Sequence, residues 1–294
     1  METITSTQNP RIKALLELQE KSRVRREKGL FPVEGCREAL HCIEAGYQVE
    51  SLWHCPDILP QLPEGLLPGA QCGQAAAPSL VGRTDMPCGQ AAHSSPSQPG
   101  CPVYTVSSNV YSRLAYREGT EGLIAVFREK HLTLEGLGRR LDKVVSPLVI
   151  VLESVEKPGN LGAVLRSADA AGADAVIVCD PLTDLYNPNL IRASIGAVFT
   201  VPVVPCTSQE AIAFLRGRGI AILTAQLQDS SLYYDTDMTG PTAIVMGTES
   251  TGLSTPWREA ASAHIRIPML GRLDSLNVSV SAAILLFEAV RQRQ

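Results

Sequence analysis

The sequence predicts an α/β protein of two domains, of which the carboxyl-terminal one is built on a parallel sheet. From Pro147 onwards, short apolar runs alternate with longer segments of helical character. This alternation is typical of parallel strands joined by helices that cover both faces of the sheet. The chain has 294 residues, of which 45% are hydrophobic, and this is enough to bury the cores of two ordinary domains.

The elements of the carboxyl-terminal domain, residues 147–294, follow from the period and length of its apolar runs. Unbroken apolar runs of a few residues predict strands at 148–152, 175–178, 221–225, 243–246 and 265–267. Longer periodic segments predict helices at 161–171, 187–197, 208–216, 256–261 and 278–291.

Residues 1–130 predict a smaller α/β domain, which a linker at 131–146 joins to the second domain. A strand and turn at 31–35 lead into a helix near 37–45, and an unbroken apolar run at 122–127 predicts another strand. Between them, residues 56–102 contain nine prolines together with many Gly, Ser, Gln and Ala residues. Such a composition does not offset the entropy cost of ordering, so most of this stretch is predicted to be a flexible insertion.

Composition excludes several classes of protein. The eight cysteines include no C-x-x-C pair, which argues against a zinc ribbon, a redox motif and a secreted disulfide scaffold. No apolar run is long enough to cross a membrane and the first residues do not form a signal peptide, so a cytoplasmic protein without membrane contact is expected. The net charge of −4 offers no overall attraction for nucleic acid, so any such binding must be local.

A local basic segment lies near the amino terminus. Between Arg11 and Lys28 there are seven basic and three acidic residues, which suits contact with phosphates. A solvated helix face with i,i+4 ion pairs is the alternative interpretation. The candidate RNA contacts are Arg11, Lys13, Arg23, Arg25 and Arg26.

The first crossover of the carboxyl-terminal domain resembles part of a dinucleotide-binding fold. Gly159 to Gly162 predict a glycine turn into a helix, and Asp180 follows the next strand. The turn is G-x-x-G rather than G-x-G-x-x-G, and a dinucleotide site would leave Asn160 and Arg166 unexplained. An arginine on such a helix is often part of a surface ion pair, but a partly buried one needs an anionic partner such as phosphate.

Two further segments carry polar residues where buried strands end. Gly247 follows a strand, and its missing side chain lets a ligand or another backbone approach closely, with Glu249 next in the same loop. Ser275 and Asn277 precede an apolar helix. These two residues either cap that helix, with Ser275 as the N-cap, or bind a ligand.

Together the three segments resemble the sequence motifs of the SpoU (TrmH) family of RNA ribose 2′-O-methyltransferases, within the SPOUT superfamily. The matching residues occur in the family's order: Asn160, Gly162 and Arg166; Gly247-Thr248-Glu249 with Gly252-Leu253; and Ile267-Pro268-Met269 through Ser275-Leu276-Asn277-Val278-Ser279. The amino-terminal part is similar to the family's ribosomal-protein-like substrate-binding domain, in Ser6 to Lys13, Arg25 and Phe31 to Gly35. Glu121, where many relatives have Gln, and the insertion at 56–102 depart from the family pattern.

The resemblance implies a carboxyl-terminal domain tied in a trefoil knot, which binds S-adenosyl-L-methionine and forms a homodimer. At matching positions, the cofactor is expected to contact Gly247, Ile267 and Leu276, with Thr224 and Ala225 as further candidates at the tip of the preceding strand. The substrate is expected to be RNA, with ribosomal RNA preferred over transfer RNA.

The chemistry of methyl transfer accounts for the residues in these motifs. A ribose 2′-hydroxyl is a weak nucleophile, so an enzyme must orient it and assist the loss of its proton, whereas the sulfonium methyl is already electrophilic and needs no metal. The resemblance gives the central catalytic role to Arg166, supported by Asn160, Glu249, Ser275 and Asn277. A nicotinamide-dependent oxidoreductase and a non-catalytic RNA-binding protein that uses the knot to dimerise remain as alternatives.

Overall fold

A computed structural model describes residues 2–66, 101–116, 121–248, 251–272 and 275–294. The chain divides into two compact units: unit 1 comprises residues 1–17 and 32–128, and unit 2 comprises residues 18–31 and 129–294. Residues 18–31 lie in the first domain predicted from sequence, but pack with unit 2. Most of the predicted insertion, residues 67–100, lies outside the described residues.

In the described part of residues 2–128, five strands form one sheet. Its strands are β1 (Glu2–Ile4), β2 (Leu30–Glu34), β3 (Val49–His54), β4 (Val103–Val106) and β5 (Leu123–Arg128), in the spatial order β1-β4-β3-β5-β2. β3 pairs in parallel with β4 and antiparallel with β5. The α-helices described in this part of the chain are α1 (Pro10–Glu20), α2 (Ser22–Lys28), α3 (Cys36–Glu44) and α4 (Ser108–Leu114).

The basic segment from Arg11 to Lys28 lies on two helices, α1 and α2. The chain leaves helical geometry at Lys21, which has φ −110° and ψ 108°, and α2 ends at Gly29 in the left-handed region with φ 61°. Glycine commonly ends a helix in this way, because it adopts the left-handed conformation without strain. Lys21 carries no comparable signal, and its side chain makes no capping hydrogen bond.

Unit 2 is built around a seven-stranded sheet whose described strand pairs are all parallel. The strands are β6 (Leu148–Glu153), β7 (Ala175–Cys179), β8 (Val203–Cys206), β9 (Ala221–Ala225), β10 (Ser231–Leu232), β11 (Thr242–Met246) and β12 (Ala263–Arg266). Their spatial order is β10-β12-β9-β11-β6-β7-β8. The helices are α5 (Leu134–Leu141), α6 (Pro158–Ala170), α7 (Pro188–Ser194), α8 (Ala197–Thr200), α9 (Ser208–Gly217), α10 (Thr255–Ala260) and α11 (Val278–Gln292).

The five strands predicted for this domain are confirmed, with ends that differ by at most two residues. The central strands β6 and β11 are buried at every position, which explains why they read as continuous apolar runs. β8 and β10 were not predicted, because β8 has only four residues, one of them Pro205, and β10 has two. The predicted helix at 187–197 is interrupted by left-handed backbone at Ile195 and Gly196, so it forms α7 and α8.

Three general features bear on function. Among the described helices, none is both long and apolar enough to cross a membrane. Within the same residues, no group of three or more His, Cys, Asp and Glu side chains could hold a metal ion. The six described cysteines are free thiols. Cys179 and Cys206 are register partners in β7 and β8, and their mutual hydrogen bond raises the pKa of Cys179 and lowers that of Cys206.

A buried ion pair holds α2 within unit 2. The Arg25 side chain is 2% exposed and its Nε donates to Asp184 Oδ2 at 2.7 Å. Arg25 Nη1 also donates to the carbonyls of Leu18 and Gln19, at 2.6 Å and 3.0 Å. These partners compensate the guanidinium for its burial. Removing the Arg25 side chain would leave the Asp184 carboxylate without its charged partner.

We expect Arg25→Met to destabilise unit 2 by about 3–5 kcal/mol, the usual result of removing one member of a buried ion pair. The matched control is Arg23→Met in the same helix, where the exposed pair with Glu27 contributes at most about 0.5 kcal/mol. Urea denaturation of a Trp53→Phe background checks this, because Trp257, buried in unit 2, is then the chain's remaining tryptophan. Equal losses for the two variants would contradict the prediction.

Candidate active site at the carboxyl edge of the sheet

A cavity of about 390 Å³ lies beside the carboxyl ends of β9, β11 and β12 and the start of α11. Loops that follow the carboxyl ends of parallel strands are the usual ligand-binding positions of α/β folds. The cavity has both polar and apolar walls. Its lining residues are Ala225, Gln226, Leu227, Gln228, Met246, Gly247, Thr248, Thr251, Gly252, Leu253, Arg258, Ile265, Arg266, Ile267, Met269, Ser275, Leu276, Val278, Ser281 and Leu285.

The loop between β11 and α10 folds back on itself, so that the backbones of Gly247 and Gly252 lie close together. A Cβ atom on Gly247 would lie 2.2 Å from the Gly252 carbonyl oxygen and 2.7 Å from the Leu253 nitrogen, so no other residue fits this backbone. Two backbone hydrogen bonds between Thr248 and Gly252, of 3.3 Å and 3.1 Å, join the two segments. Gly252 has φ 67°, which also favours glycine. Of the two predicted reasons for Gly247, the approach of another backbone is the one that the structure shows.

A buried carboxylate anchors the far end of this loop. Glu153, at the end of β6, is 6% exposed and accepts hydrogen bonds from the backbone N–H and the hydroxyl of Ser254. Its Oε1 also lies 3.3 Å from Ser208 Oγ, which donates to Asp180 at 2.6 Å and accepts from Trp257 Nε1 at 3.0 Å. Glu153 therefore fixes the loop that lines the cavity to a central strand.

Asn277 connects α11 to α6. Its Oδ1 accepts from the Ser279 N–H at 3.0 Å, so Asn277 is the N-cap of α11, and its Nδ2 donates to Asn160 Oδ1 at 3.2 Å. The prediction that Ser275 would be the N-cap is wrong, because α11 begins at Val278, immediately after Asn277. Asn277 thus combines a capping role with a contact to another residue of the predicted site.

A second cavity, of about 170 Å³, adjoins the first. Its walls include Asn160, Glu156 and Lys157, and it shares Gly247, Thr248 and Val278 with the larger cavity. The remaining lining residue is Val155. The shared residues mean that two ligands, one in each cavity, could meet at Gly247 and Val278.

The structure brings four of the five predicted cofactor residues to the larger cavity: Ala225, Gly247, Ile267 and Leu276. Thr224 is not among the lining residues. It is fully buried, and its Oγ1 lies 2.6 Å from His264 Nδ1 on the neighbouring strand. The side chains of consecutive strand residues point to opposite faces, which is why Ala225 can line the cavity while Thr224 cannot.

The predicted catalytic residues are only partly brought together. Ser275 lines the larger cavity, Asn160 lines the smaller one, and Asn277 contacts Asn160. Glu249 lies outside the described residues. Arg166 is exposed and lines neither cavity, and because α6 begins at Pro158 it lies in the third turn, about 9 Å along the helix from Asn160.

Four of the five candidate RNA contacts are exposed: Arg11, Lys13, Arg23 and Arg26. The Arg11 guanidinium lies 5.0 Å from the centre of the Tyr104 ring, within unit 1. Arg25 is the exception and is a correction to the sequence prediction. Its guanidinium is buried against Asp184 and is not available to a phosphate.

The predicted glycine turn is not a loop. Gly159 and Gly162 both lie within α6, and a Cβ on Gly162 would lie 2.6 Å from Ala193 Cβ and 2.9 Å from the Leu190 carbonyl oxygen. Gly162 therefore permits close packing of α6 on α7. Asp180 accepts hydrogen bonds from the N–H and hydroxyl of Ser208, in the first turn of α9, instead of marking a ribose site. These contacts remove the sequence basis for a dinucleotide site.

Several cavity residues were not predicted as site residues, although Thr248, Gly252, Leu253, Met269 and Val278 belong to the family motifs. They are Gln226, Leu227, Gln228, Met246, Thr248, Thr251, Gly252, Leu253, Arg258, Ile265, Arg266, Met269, Val278, Ser281 and Leu285. Gln226, Met246 and Arg266 stand at or just beyond the carboxyl ends of β9, β11 and β12, and a position near a strand end was a usable signal. Ser281 and Leu285 are one helical turn apart in α11 and carried no such signal.

Two family models match the chain. The SpoU rRNA methylase family matches residues 147–287, which lie in unit 2. The MRM3-like substrate binding domain matches residues 9–125.

Curated relatives match over more than half of the chain. The 23S rRNA (guanosine-2′-O-)-methyltransferase RlmB of Pectobacterium atrosepticum is 38% identical over 175 residues, which are 59% of this chain and 72% of the relative. The enzyme of the same name from Vibrio vulnificus is 41% identical over 181 residues, 61% of this chain and 73% of the relative.

Solved structures match along nearly the whole chain. A crystal structure of an RNA 2′-O ribose methyltransferase has a TM-score of 0.72 and 35% identity, and covers 99% of both chains. A crystal structure of an AdoMet-bound rRNA methyltransferase from Sinorhizobium meliloti has a TM-score of 0.79 and 26% identity, over 99% of this chain and 97% of the other. These matches show that the chain belongs to the SpoU family of RNA 2′-O-methyltransferases, several of whose motif residues line the two adjoining cavities.

Proposed function

We propose that this protein transfers a methyl group from S-adenosylmethionine to a ribose 2′-hydroxyl in ribosomal RNA. The observation that carries the proposal is the pair of adjoining cavities, which share Gly247, Thr248 and Val278. The larger cavity holds the cofactor, and the smaller one, beside Asn160, receives the ribose. The family membership and the names of the rRNA-modifying relatives support this substrate.

The larger cavity fits the cofactor in size and chemistry. Its volume of about 390 Å³ lies in the range of small-molecule sites, about 300–1,000 Å³. Apolar side chains of Ile267 and Leu276 suit an adenine ring, and the guanidinium groups of Arg258 and Arg266 suit a carboxylate. When bound there, S-adenosylmethionine supplies an electrophilic methyl group.

On the substrate side, Asn160 and Asn277 act as a pair. The bond from Asn277 Nδ2 to Asn160 Oδ1 orients the Asn160 amide on the wall of the smaller cavity, where the ribose is received. Such orientation matters because a weak nucleophile reacts fast only when it is held in line with the group that it attacks. Ser275, on the wall of the larger cavity, contributes a further hydroxyl.

Arg166 acts as a permanent cation. A guanidinium keeps its proton in proteins, so it stabilises charge and orients a phosphate or the ribose, while the proton leaves through another group. Among the described residues, Arg166 makes no hydrogen bond or ion pair, so bound RNA can draw it towards the smaller cavity. We propose that Glu249, in the loop after β11, completes this set.

The RNA backbone is held by exposed basic side chains on the first two helices. Arg11 and Lys13 lie on α1, and Arg23 and Arg26 lie on α2. The Arg25–Asp184 pair fixes α2 in the same unit as the two cavities, so its basic residues form part of the unit that carries the catalytic site. Structured RNA is recognised largely through such phosphate and shape contacts.

We further propose that two chains pair through α11 and that unit 2 contains the trefoil knot of its family. Val280 and Phe287 are seven positions apart, on one face of α11, and are 47% and 48% exposed. A buried interface is the usual reason for large apolar side chains to share an exposed helix face. The same face begins next to Leu276, which lines the cofactor cavity.

The proposed function predicts that the purified protein binds S-adenosylhomocysteine and methylates an unmodified large-subunit rRNA transcript at ribose 2′-hydroxyls. Ser281→Phe should fill the larger cavity and weaken cofactor-product binding at least about tenfold, whereas Val145→Phe, at an exposed position of the same unit that lines neither cavity, should not. Arg166→Ala should keep the binding and lose most of the methyl transfer. Calorimetry measures the binding of S-adenosylhomocysteine. The incorporation of labelled methyl groups measures the transfer, and alkaline hydrolysis of the RNA locates the methylated riboses.

Two outcomes would oppose the proposal. A folded wild-type protein that binds no S-adenosylhomocysteine would rule out the cofactor site. Binding without methyl transfer to any ribosomal RNA, naked or within precursor subunits, would favour the non-catalytic RNA-binding interpretation.

Glu153 is expected to set cofactor affinity through the loop after β11. In Glu153→Gln, an NH₂ group replaces one acceptor oxygen, so a Ser254 donor loses its partner, at a cost of about 1–3 kcal/mol. We expect S-adenosylhomocysteine to bind about tenfold more weakly. Asp180→Asn is the matched control, because Asp180 belongs to the same polar network through Ser208 but does not contact Ser254. If calorimetry gives wild-type affinity for both variants, Glu153 does not position the site.

The dimer proposal predicts that Val280→Glu combined with Phe287→Glu gives a monomer, because two buried charges at the interface would lack partners. Val145→Glu is the control, since Val145 is 96% exposed and lies outside α11. Light scattering coupled to size-exclusion chromatography gives the mass. A wild-type protein that is itself monomeric at micromolar concentration would rule out this dimer.

A further inference from the structure

We infer that Lys157 binds a phosphate of the RNA strand directly beside the target ribose. This inference rests on the proposed function, and it adds a substrate-positioning residue that the motif residues do not include. Lys157 is the N-cap of α6 and lies three positions before Asn160. Lys157 lines the smaller cavity, together with Asn160 and Thr248.

The smaller cavity has less than half the volume of the larger one, about 170 Å³ against about 390 Å³. Asn160, which is hydrogen-bonded to Asn277, lies on its wall. Because the proposed function places the target ribose beside Asn160, the groups that meet the other walls are the ribose hydroxyls and the adjoining phosphate.

The charges on the walls indicate where the phosphate lies. Among the described residues that line this cavity, Lys157 is the one cation. Glu156 is its neighbour on the same wall, and a carboxylate can accept a hydrogen bond from a ribose hydroxyl but repels a phosphate. The partial positive charge at the amino end of α6, a helix of 13 residues, adds to the attraction at Lys157.

Arg166 cannot occupy this position in the described structure. It lies about 9 Å further along α6 than Asn160 and is absent from the lining of both cavities. The two cations therefore have separate roles on the same helix. Lys157 binds the phosphate at the mouth of the ribose site, and Arg166 approaches from the third turn.

The test compares Lys157→Met with Lys143→Met, which removes an exposed lysine of the same unit that lines neither cavity. The probe is an unmodified large-subunit rRNA transcript, bound at a series of KCl concentrations. A lost phosphate contact reduces the magnitude of the slope of log affinity against log salt by about 0.7–0.9. We expect that reduction, and an RNA KM about tenfold higher, for Lys157→Met alone, with restoration by Lys157→Arg.

The binding of S-adenosylhomocysteine separates the possible failures. If the wild-type protein methylates the transcript and Lys157→Met keeps the wild-type salt slope and RNA KM, the inference about Lys157 is wrong and the proposed function stands. If Lys157→Met instead loses affinity for S-adenosylhomocysteine in proportion to its loss of activity, its effect is on the cofactor site, which also overturns the inference. A wild-type protein without cofactor binding or methyl transfer would overturn the proposed function itself.

Discussion

The site depends on a steric constraint: the chain must fold back on itself at Gly247 with no side chain between the two backbones. The Gly252 carbonyl oxygen lies 2.2 Å from the position that a Cβ of Gly247 would take, and the Thr248–Gly252 hydrogen bonds join the two backbone segments. This close approach fixes the positions of Gly247 and Thr248, which line both cavities. The wall that the two cavities share therefore depends on how tightly the backbone can turn here.

Polar side chains on neighbouring elements hold the loop after β11 and the start of α11 in place. Glu153 ties the end of the loop to β6, and Asn277 ties the start of α11 to Asn160 on α6. Each of these side chains satisfies backbone N–H groups that a loop or a helix end would otherwise leave unpaired, and each also contacts a second element. For Asn277, capping and participation in the site appeared from sequence as alternatives. They coexist because an amide has an acceptor for the cap and a donor for its neighbour.

The strands of unit 2 could be predicted because burial on both faces makes each one a continuous apolar run, as in β6 and β11. Part of the cofactor cavity could be inferred from strand ends and the family resemblance, namely Ala225, Gly247, Ile267 and Leu276. What failed depended on tertiary contacts that no local pattern reports. The sequence cannot tell that Arg25 finds Asp184, 159 positions away, while Arg26 stays in solvent. Nor does an apolar run such as Ala221–Ala225 show which face of the strand meets the cavity. Thr224 and Ala225 were therefore both predicted to contact the cofactor.

The glycines show why a short motif does not define a site until its backbone is known. In a dinucleotide fold, the glycines open a loop so that backbone N–H groups and the helix end can reach a pyrophosphate. Here α6 has already begun at Pro158, so the backbone of Gly162 is committed to the helix, and its missing side chain accommodates Ala193 of α7. Gly247 follows β11, and its missing side chain permits the close approach of the Gly252 backbone. The ligand-binding surface therefore lies at the loops after β9, β11 and β12, and not at the glycines of the first crossover. Lys157 and Asn160, at the start of α6, line its substrate side.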